Sequence, residues 1–171
     1  WHHYGVDFEP GGKDHSSDGG SKDTAVKILQ KIWNDKEPVY MQYDFVRIKG
    51  GPGKISSSAG NATSLTDVLK YYSPEMIRFI FARQKPNSDF AIAFDEDVIR
   101  LYDEFDRAEA LAVAEPASDQ KKTALNRRVI ELSQTAEEAA IEKVYRPPFR
   151  ELCNRLQICD GDTRRAWERY Y

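Results

Sequence analysis

A glycine- and serine-rich segment at residues 50–61 has the residue types that bind phosphate groups. It reads Gly50-Gly51-Pro52-Gly53-Lys54-Ile55-Ser56-Ser57-Ser58-Ala59-Gly60-Asn61. Glycines let the backbone approach a ligand closely, and backbone amides, hydroxyls and an ammonium group are the donors that a polyphosphate requires. The segment is not a Walker A loop, because Ile55 rather than serine or threonine follows Lys54. Taken alone, it fits a phosphate-binding loop and a plain connector about equally well.

The elements around this segment predict an α/β fold that becomes mostly helical. Residues 4–9 and 43–48 predict strands, and residues 22–33 predict a helix between them, which together indicate a parallel crossover unit. Pro10-Gly11-Gly12 predicts the end of the first strand, and residues 90–94 are a candidate short strand. Two strands alone are marginal, and parallel sheets are normally covered on both faces. We therefore expect the missing strands to lie outside these residues.

Helix signals dominate after Ile48. Ser64 and Ser73-Pro74 have the residue types that begin helices, and a third helix should open at Asp95. A linker is expected at residues 115–122, followed by a long helix with Leu125, Val129 and Leu132 facing inward. Further helices are expected after Pro147-Pro148 and from Thr163.

Composition narrows the class of protein. The 171 residues carry 25 basic and 28 acidic side chains, a net charge of −3, which disfavours a dedicated, strongly basic nucleic-acid binder. Two cysteines do not make a disulfide framework, so a reduced, cytoplasmic protein is expected. We expect no membrane partner, because no apolar run approaches the roughly 20 residues that span a bilayer.

The string Lys54-Ile55-Ser56-Ser57-Ser58, followed by Gly60-Asn61, resembles the KMSKS loop of class I aminoacyl-tRNA synthetases. Ser57 stands where that motif usually has its second lysine, which is the form found in class I lysyl-tRNA synthetases. Ala59 stands where the lysyl enzymes commonly have lysine, so one positive charge is missing from the phosphate site.

Other segments carry the same resemblance in the same order. They are Val6 to His15 with Gly19-Gly20-Ser21, then Tyr72-Ser73-Pro74-Glu75, Arg83-Gln84-Lys85-Pro86-Asn87, and residues 94–109. The family commonly has a bulkier residue where Gly11 stands. The resemblance covers residues 1 to about 110 and corresponds to the middle of a longer chain.

The resemblance implies a lysine–tRNA ligase, an enzyme that joins lysine to ATP as lysyl-adenylate and then to tRNA(Lys). Lys54 would neutralise charge on the β- and γ-phosphates, and Ser56 and Ser58 would hold the loop and donate hydrogen bonds. Mg²⁺ would bridge phosphate oxygens, and we predict no protein metal site. The remaining ATP- or substrate-binding positions would be Gly12, Asp14, His15, Ser57, Gly60 and Asn61.

Roles for two of these residues also follow from the resemblance. Asp14 would pair with the α-ammonium group of lysine or with the adenosine ribose. His15 would pack against the side chain of the substrate lysine, although a loop histidine can also merely close a turn. Gly12 would give the backbone close approach to the substrate.

The implied fold is the C-terminal half of a Rossmann-type catalytic domain, residues 1–115, followed by the start of a helical anticodon-binding region, residues 116–171. No His-x-Gly-His pattern of the HIGH type occurs, so we expect the N-terminal half of the catalytic domain to be missing and the isolated fragment to be inactive. Two alternatives stay open. One is a class I synthetase of other specificity, and the other is a non-catalytic fragment that binds tRNA or a protein.

Overall fold

The computed structural model describes residues 1–51, 63–113, 120–135 and 145–170. Within them, short strands come first and helices follow, as the sequence predicts. The strands are β1 Phe8–Gly12, β2 Val39–Tyr43, β3 Val46–Ile48 and β4 Phe90–Ile92. The helices are α1 Ser21–Trp33, α2 Leu65–Val68, α3 Pro74–Ala82, α4 Asp97–Val113, α5 Gln120–Ser133, α6 Phe149–Ile158 and α7 Thr163–Glu168.

Strands β1 and β2 form a parallel pair joined through α1, so a crossover unit is present, although its second strand is Val39–Tyr43 and not the predicted residues 43–48. The register runs from Phe8 opposite Val39 to Gly12 opposite Tyr43. The bounds of the first strand were predicted wrongly, because His2–Tyr4 is a short 3₁₀ turn and the strand continues through Pro10 and both glycines. Proline and glycine can adopt extended backbone as well as turns. Gly12 is extended here, with φ −66° and ψ 153°.

The second predicted strand falls on two separate strands. β2 ends at Tyr43 and β3 begins at Val46. The break follows from Asp44, whose carboxylate accepts a 2.9 Å hydrogen bond from the backbone N–H of Phe45 and so turns the chain locally. β3 pairs in parallel with β4, with Val46 opposite Phe90 and Ile48 opposite Ile92, which confirms the short strand expected at residues 90–94.

One face of the β1–β2 sheet is apolar and exposed. In a parallel pair, opposed residues point to the same side, so Phe8 shares a face with Val39, and Gly12 shares one with Tyr43. Phe8 is 51% exposed and Val39 is 72% exposed, and Met41 and Tyr43 on the same face are also exposed. The described residues therefore leave this face of the sheet without an apolar cover.

Helices α2 and α3 begin at the predicted caps. The hydroxyl of Ser64 accepts a hydrogen bond from the backbone N–H of Asp67, and that of Ser73 accepts one from Met76 at 3.3 Å. Pro74 occupies the first turn of α3, where a missing N–H costs nothing.

The helical core lies where α3 and α4 pack against α5, with α6 on α4 and α7 on α6. Phe79 of α3 meets Phe105 of α4 edge to face, with ring centroids 5.1 Å apart. The predicted inward face of α5 is partly wrong, because Leu125 is 65% exposed and Leu132 is 43% exposed. Val129 is buried as predicted, and Ile130 and Ser133 are buried in place of Leu125 and Leu132, as expected for a helix held between two neighbours.

The chain divides into two compact units. One comprises the described residues of Trp1–Ala62 and Gln84–Ile92, and the other those of Thr63–Arg83 and Ala93–Tyr171. Residues 120–122 of the expected linker belong to α5, which begins at Gln120, and residues 115–119 lie outside the described residues. A domain boundary at residue 115 stays a prediction. Among the described residues, no helix is long and apolar enough to cross a membrane.

Candidate functional site

Three of the nine predicted site residues lie in the described part of the chain: Gly12, Asp14 and His15. They follow one another at the carboxyl end of β1, where a short 3₁₀ turn spans Lys13–His15. The other predicted residues, in the glycine- and serine-rich segment, lie outside the described residues: Lys54, Ser56, Ser57, Ser58, Gly60 and Asn61.

Gly12 is the point on which the side chains of this turn converge. It is buried, and a Cβ atom placed on it would lie 3.1 Å from Oδ1 of Asp14. The same atom would lie 3.6 Å from ring carbons of His15 and of Tyr43. The structure therefore brings the three predicted residues together, and the absence of a side chain at Gly12 gives them the room to meet.

Lys13 ties the turn to the end of β2. Its ammonium group donates a 3.0 Å hydrogen bond to Oδ2 of Asp44, whose side chain is 11% exposed. The backbone N–H of Phe45 and the Lys13 ammonium group hold the pKa of the Asp44 carboxyl below its usual range. The turn and the end of β2 are consequently joined by a charge-assisted hydrogen bond as well as by the sheet.

His15 is oriented by the first residue of α1. Its Nδ1 lies 3.1 Å from Oγ of Ser21, so one ring nitrogen is occupied by a hydrogen bond. The chain reaches Ser21 through Gly20, where a Cβ atom would lie 2.8 Å from the backbone oxygens of His15 and Ser17. Only glycine fits this close return of the backbone, so Gly20 sets the distance between the turn and α1.

Tyr40 of β2 reaches over β1 into the same region. Its hydroxyl lies 2.9 Å from Oγ of Ser16, and Oγ of Ser16 donates a 3.2 Å hydrogen bond to the carbonyl oxygen of Gly12. A Cβ atom on Gly11 would lie 1.9 Å from the Tyr40 hydroxyl oxygen. The tyrosine therefore occupies the space that a side chain at Gly11 would need.

These elements line a cavity of about 390 Å³ that is open to solvent on one side. That volume lies at the small end of the range for small-molecule sites, which is about 300–1,000 Å³. The cavity lies at the carboxyl ends of two parallel strands, which is where α/β proteins bind ligands. Its lining residues are Trp1, Glu9, Pro10, Gly11, Gly12, His15, Ser21, Lys22, Ala25, Tyr40 and Tyr43.

The lining offers both charges and aromatic faces. Glu9 brings a carboxylate, and the ammonium group of Lys22 lies 3.3 Å from Glu37 and 4.6 Å from the centre of the Tyr40 ring. An ammonium group is thus already seated on an aromatic face of this cavity. The N-cap of α1 is Gly20, which has no side chain to cap the helix, and the backbone of the turn lies next to this positive end of the helix dipole. A small molecule with an anionic and a cationic group suits these features.

Sequence reasoning missed Tyr40, Tyr43, Ser16 and Ser21. The signal that could have found the tyrosines is their place in a parallel strand next to β1, with Tyr43 at its carboxyl end, but residues 39–42 were not predicted as a strand. A second cavity, of about 380 Å³, is lined by residues such as His2, Asp7 and Asp35 and by none of the predicted site residues.

Comparison with known proteins gives a family match over most of the chain. The model of the family described as tRNA synthetases class I (K) matches residues 1–136. This range includes the Lys13–His15 turn, the cavity and the glycine- and serine-rich segment.

Several relatives match most of the chain. A lysine–tRNA ligase of Treponema pallidum (strain Nichols) is 44% identical over 163 residues, which are 95% of this chain and 31% of the relative. One of Borreliella burgdorferi is 51% identical over 135 residues, 78% of this chain and 26% of the relative. One of Pyrococcus horikoshii is 38% identical over 158 residues, 92% of this chain and 30% of the relative. The chain thus spans less than a third of the length of these relatives.

Proposed function

Because this chain belongs to the class I tRNA synthetases of the lysine type, we propose that it is part of a lysine–tRNA ligase and contributes the amino-acid side and the phosphate loop of the active site. The complete protein would activate lysine with ATP and transfer it to tRNA(Lys). The observation that carries this proposal is the cavity at the carboxyl ends of β1 and β2, beside Gly12 and His15, in a chain of this family.

Lysine would occupy this cavity. Its carboxylate suits the positive end of α1, and its ammonium groups suit a carboxylate such as Glu9 and the aromatic faces of the tyrosines. Asp14 would pair with the α-ammonium group or the adenosine ribose, and His15 would pack along the side chain of the substrate. The hydrogen bond between Ser21 and Nδ1 of His15 supports this role, because it restrains a ring that lines the cavity.

ATP would be held by residues 54–61. In the first step, an oxygen of the lysine carboxylate attacks the α-phosphorus, and the bond to the bridging oxygen of pyrophosphate breaks. This transfer needs positioning and charge stabilisation more than covalent help. Lys54 would take up the charge that grows on pyrophosphate, and Ser56 and Ser58 would donate hydrogen bonds. Ser57, Gly60 and Asn61 would complete the loop around the nucleotide.

Mg²⁺ would enter with ATP. It prefers oxygen ligands and usually keeps several waters, so phosphate oxygens would supply much of its coordination. The described residues contain no group of three or more histidine, cysteine, aspartate or glutamate side chains that could hold a metal ion. The ion would neutralise charge on the phosphates, and the Lys54 ammonium group would add to that effect from the protein side.

The fold we propose is the second half of a Rossmann-type catalytic domain, followed by the beginning of a helical anticodon-binding region. Two features of the sheet support this. The pair β1–β2 is parallel with α1 as its crossover, and the face carrying Phe8, Val39 and Met41 is apolar and exposed. Further strands of the same protein would extend this sheet at its edges, crossover helices would cover that face, and the added segment would supply the HIGH-type motif.

The test is lysine-dependent ATP–pyrophosphate exchange by the complete protein, including any sequence beyond residues 1–171, followed by charging of tRNA(Lys). We expect exchange with lysine and none with arginine, cysteine or glutamate at the same concentration. Exchange that depends on another amino acid would assign a different specificity. Absence of exchange with every amino acid would favour the non-catalytic alternative.

The isolated chain gives a second, independent test. We expect residues 1–171 alone to form no lysyl-adenylate at a useful rate. A non-hydrolysable lysyl-adenylate analogue should raise its melting temperature more than arginyl, cysteinyl or glutamyl analogues do, if the cavity holds the lysine side of the substrate.

A further inference from the structure

We propose that Tyr40 and Ser16 are positioning residues that hold the substrate-facing turn of this site through a hydrogen-bonded chain ending at Gly12. The inference rests on the proposed function, since the turn matters only if its residues face the substrate. Neither residue belongs to the motifs that carry the family resemblance, and neither was predicted from the sequence.

The direction of these hydrogen bonds follows from the number of hydrogens that each hydroxyl can donate. A serine hydroxyl has one hydrogen, and that of Ser16 is directed at the carbonyl oxygen of Gly12, 3.2 Å away. The 2.9 Å contact between the Ser16 and Tyr40 oxygens must therefore be donated by the tyrosine. Tyr40 donates to Ser16, Ser16 donates to Gly12, and each bond polarises the next.

The hydrogen-bonded chain from Tyr40 to Gly12 fixes the peptide group that leads into the turn. Gly12 is the last residue of β1, and its carbonyl group belongs to the peptide plane that continues to Lys13. With that carbonyl held, the following Asp14 and His15 are presented in one orientation. The hydrogen bonds are part-buried, so water competes with them less than it would at an exposed site.

Tyr40 is itself held on two further sides. The ammonium group of Lys22 lies 4.6 Å above its ring, and that lysine is paired with Glu37. Gly11 leaves the space that the hydroxyl enters, since a Cβ atom there would lie 1.9 Å from the hydroxyl oxygen. The glycine at position 11 is therefore matched to the tyrosine at position 40.

The experiment compares Tyr40→Phe and Ser16→Ala in the complete protein, with lysine-dependent pyrophosphate exchange as the first readout. Tyr40→Phe keeps the ring and its contact with Lys22 and removes only the hydroxyl. We expect each variant to raise KM for lysine about threefold to tenfold, the size of effect of one lost hydrogen bond, with kcat changed less than about twofold. The double variant should resemble the single ones, because both remove the same chain.

Two controls separate positioning from general damage. Tyr4→Phe removes a hydroxyl from a tyrosine that is 84% exposed and should leave KM unchanged. Ser16→Thr keeps the hydroxyl and should stay within about twofold of the parent protein. Melting temperatures of all variants should agree within about 2 °C, since surface and part-buried hydrogen bonds contribute little to overall stability.

Amide hydrogen exchange provides a readout that needs no activity. Peptides covering residues 12–16 should exchange faster in Tyr40→Phe and Ser16→Ala, while peptides covering the second half of α1 should not change. Unchanged exchange at residues 12–16 together with unchanged KM would overturn the proposal. If the parent protein showed no lysine-dependent activity, the proposed function would fail, and hydrogen exchange would still decide whether Tyr40 holds the turn.

Discussion

The ammonium group of Lys13 lies 3.0 Å from Oδ2 of Asp44, and this contact joins the turn after β1 to the residue that follows β2. The backbone N–H of Phe45 lowers the pKa of the Asp44 carboxyl, and Lys13 lowers it further. A carboxyl whose pKa is lower in the folded state stabilises that state above its ordinary pKa of 3.8 and loses this contribution as the pH falls through the folded value.

Asp44→Asn should therefore remove part of the acid sensitivity of the protein. We expect the melting temperature of the parent protein to fall more steeply below about pH 4 than that of the variant, because only the parent must protonate this carboxylate. Melting curves between pH 2 and pH 6 check this. Asp18→Asn, at an exposed position, is the matched control and should follow the parent. Parallel curves for the parent and Asp44→Asn would contradict the prediction.

Tyr72 should make the protein sensitive to alkali. Its side chain is buried, its hydroxyl donates to the carbonyl oxygen of Ala93, and burial is the main cause that raises its pKa to about 12. A phenol whose pKa is raised in the folded state stabilises that state below the unfolded value of 10.0, and the contribution is lost as the pH rises from there to about 12.

Two measurements with one pair of variants check this. Ultraviolet absorbance of phenolate should show a step near pH 12 that Tyr72→Phe removes and that Tyr71→Phe, at an exposed neighbour, retains. The parent should lose stability relative to Tyr72→Phe above about pH 10. Phenolate absorbance from Tyr72 below about pH 10 would show that its side chain is not buried.

The features that sequence predicted best are local ones. Ser64 and Ser73 cap α2 and α3 as expected, because a capping hydrogen bond joins residues three positions apart. A crossover unit was also predicted, since an amphipathic helix between two apolar stretches has few alternatives, although its second strand was placed a few residues too late. Gly12, Asp14 and His15 were found through a contiguous motif, and the structure brings them together.

The features that it missed depend on strand register and on packing between distant elements. Tyr40 contacts Ser16 across 24 residues of sequence, and that contact exists only because β2 spans Val39–Tyr43. A strand assigned to residues 43–48 leaves Tyr40 outside it. Likewise, α5 packs against two helices at once, and the positions of those two helices determine that Ile130 rather than Leu125 is buried. The periodicity of the sequence does not give the positions of neighbouring helices.

The burial of Ile130 leads to a stability prediction. The residue is 1% exposed, whereas Leu125 on the same helix is 65% exposed. Ile130→Ala should lower the free energy of unfolding by about 2–4 kcal/mol, because it removes buried methyl groups and leaves a cavity between helices. Leu125→Ala, the matched control, should cost less than about 0.5 kcal/mol. Chemical denaturation measures both, and equal effects at the two positions would show that the described face of α5 is wrong.

The match between Gly11 and Tyr40 predicts a coupling between two substitutions. Gly11→Ala alone should displace the tyrosine, whose hydroxyl oxygen would lie 1.9 Å from the new methyl group, and should raise KM for lysine as Tyr40→Phe does. In a Tyr40→Ala background the same methyl group meets no ring, so Gly11→Ala should add little further change. Lysine-dependent exchange by the single and double variants of the complete protein measures this. Additive effects would mean that the two positions act separately.

Lys54 should govern the rate of adenylate formation more than the binding of lysine. If its ammonium group takes up charge on departing pyrophosphate, Lys54→Ala should lower kcat of lysine-dependent exchange by about 100-fold, since removing one such donor typically has an effect of that size. KM for lysine should change little, because lysine would bind in the cavity beside His15. His15→Ala should instead raise KM for lysine and change kcat little. Lys36→Ala, at an exposed position, is the control for loss of a positive charge. Ala59→Lys tests the same electrostatic argument from the other direction: adding the charge that lysyl enzymes commonly have should lower KM for ATP. If Lys54→Ala left kcat near the parent value, residues 54–61 would not be the phosphate loop of this enzyme.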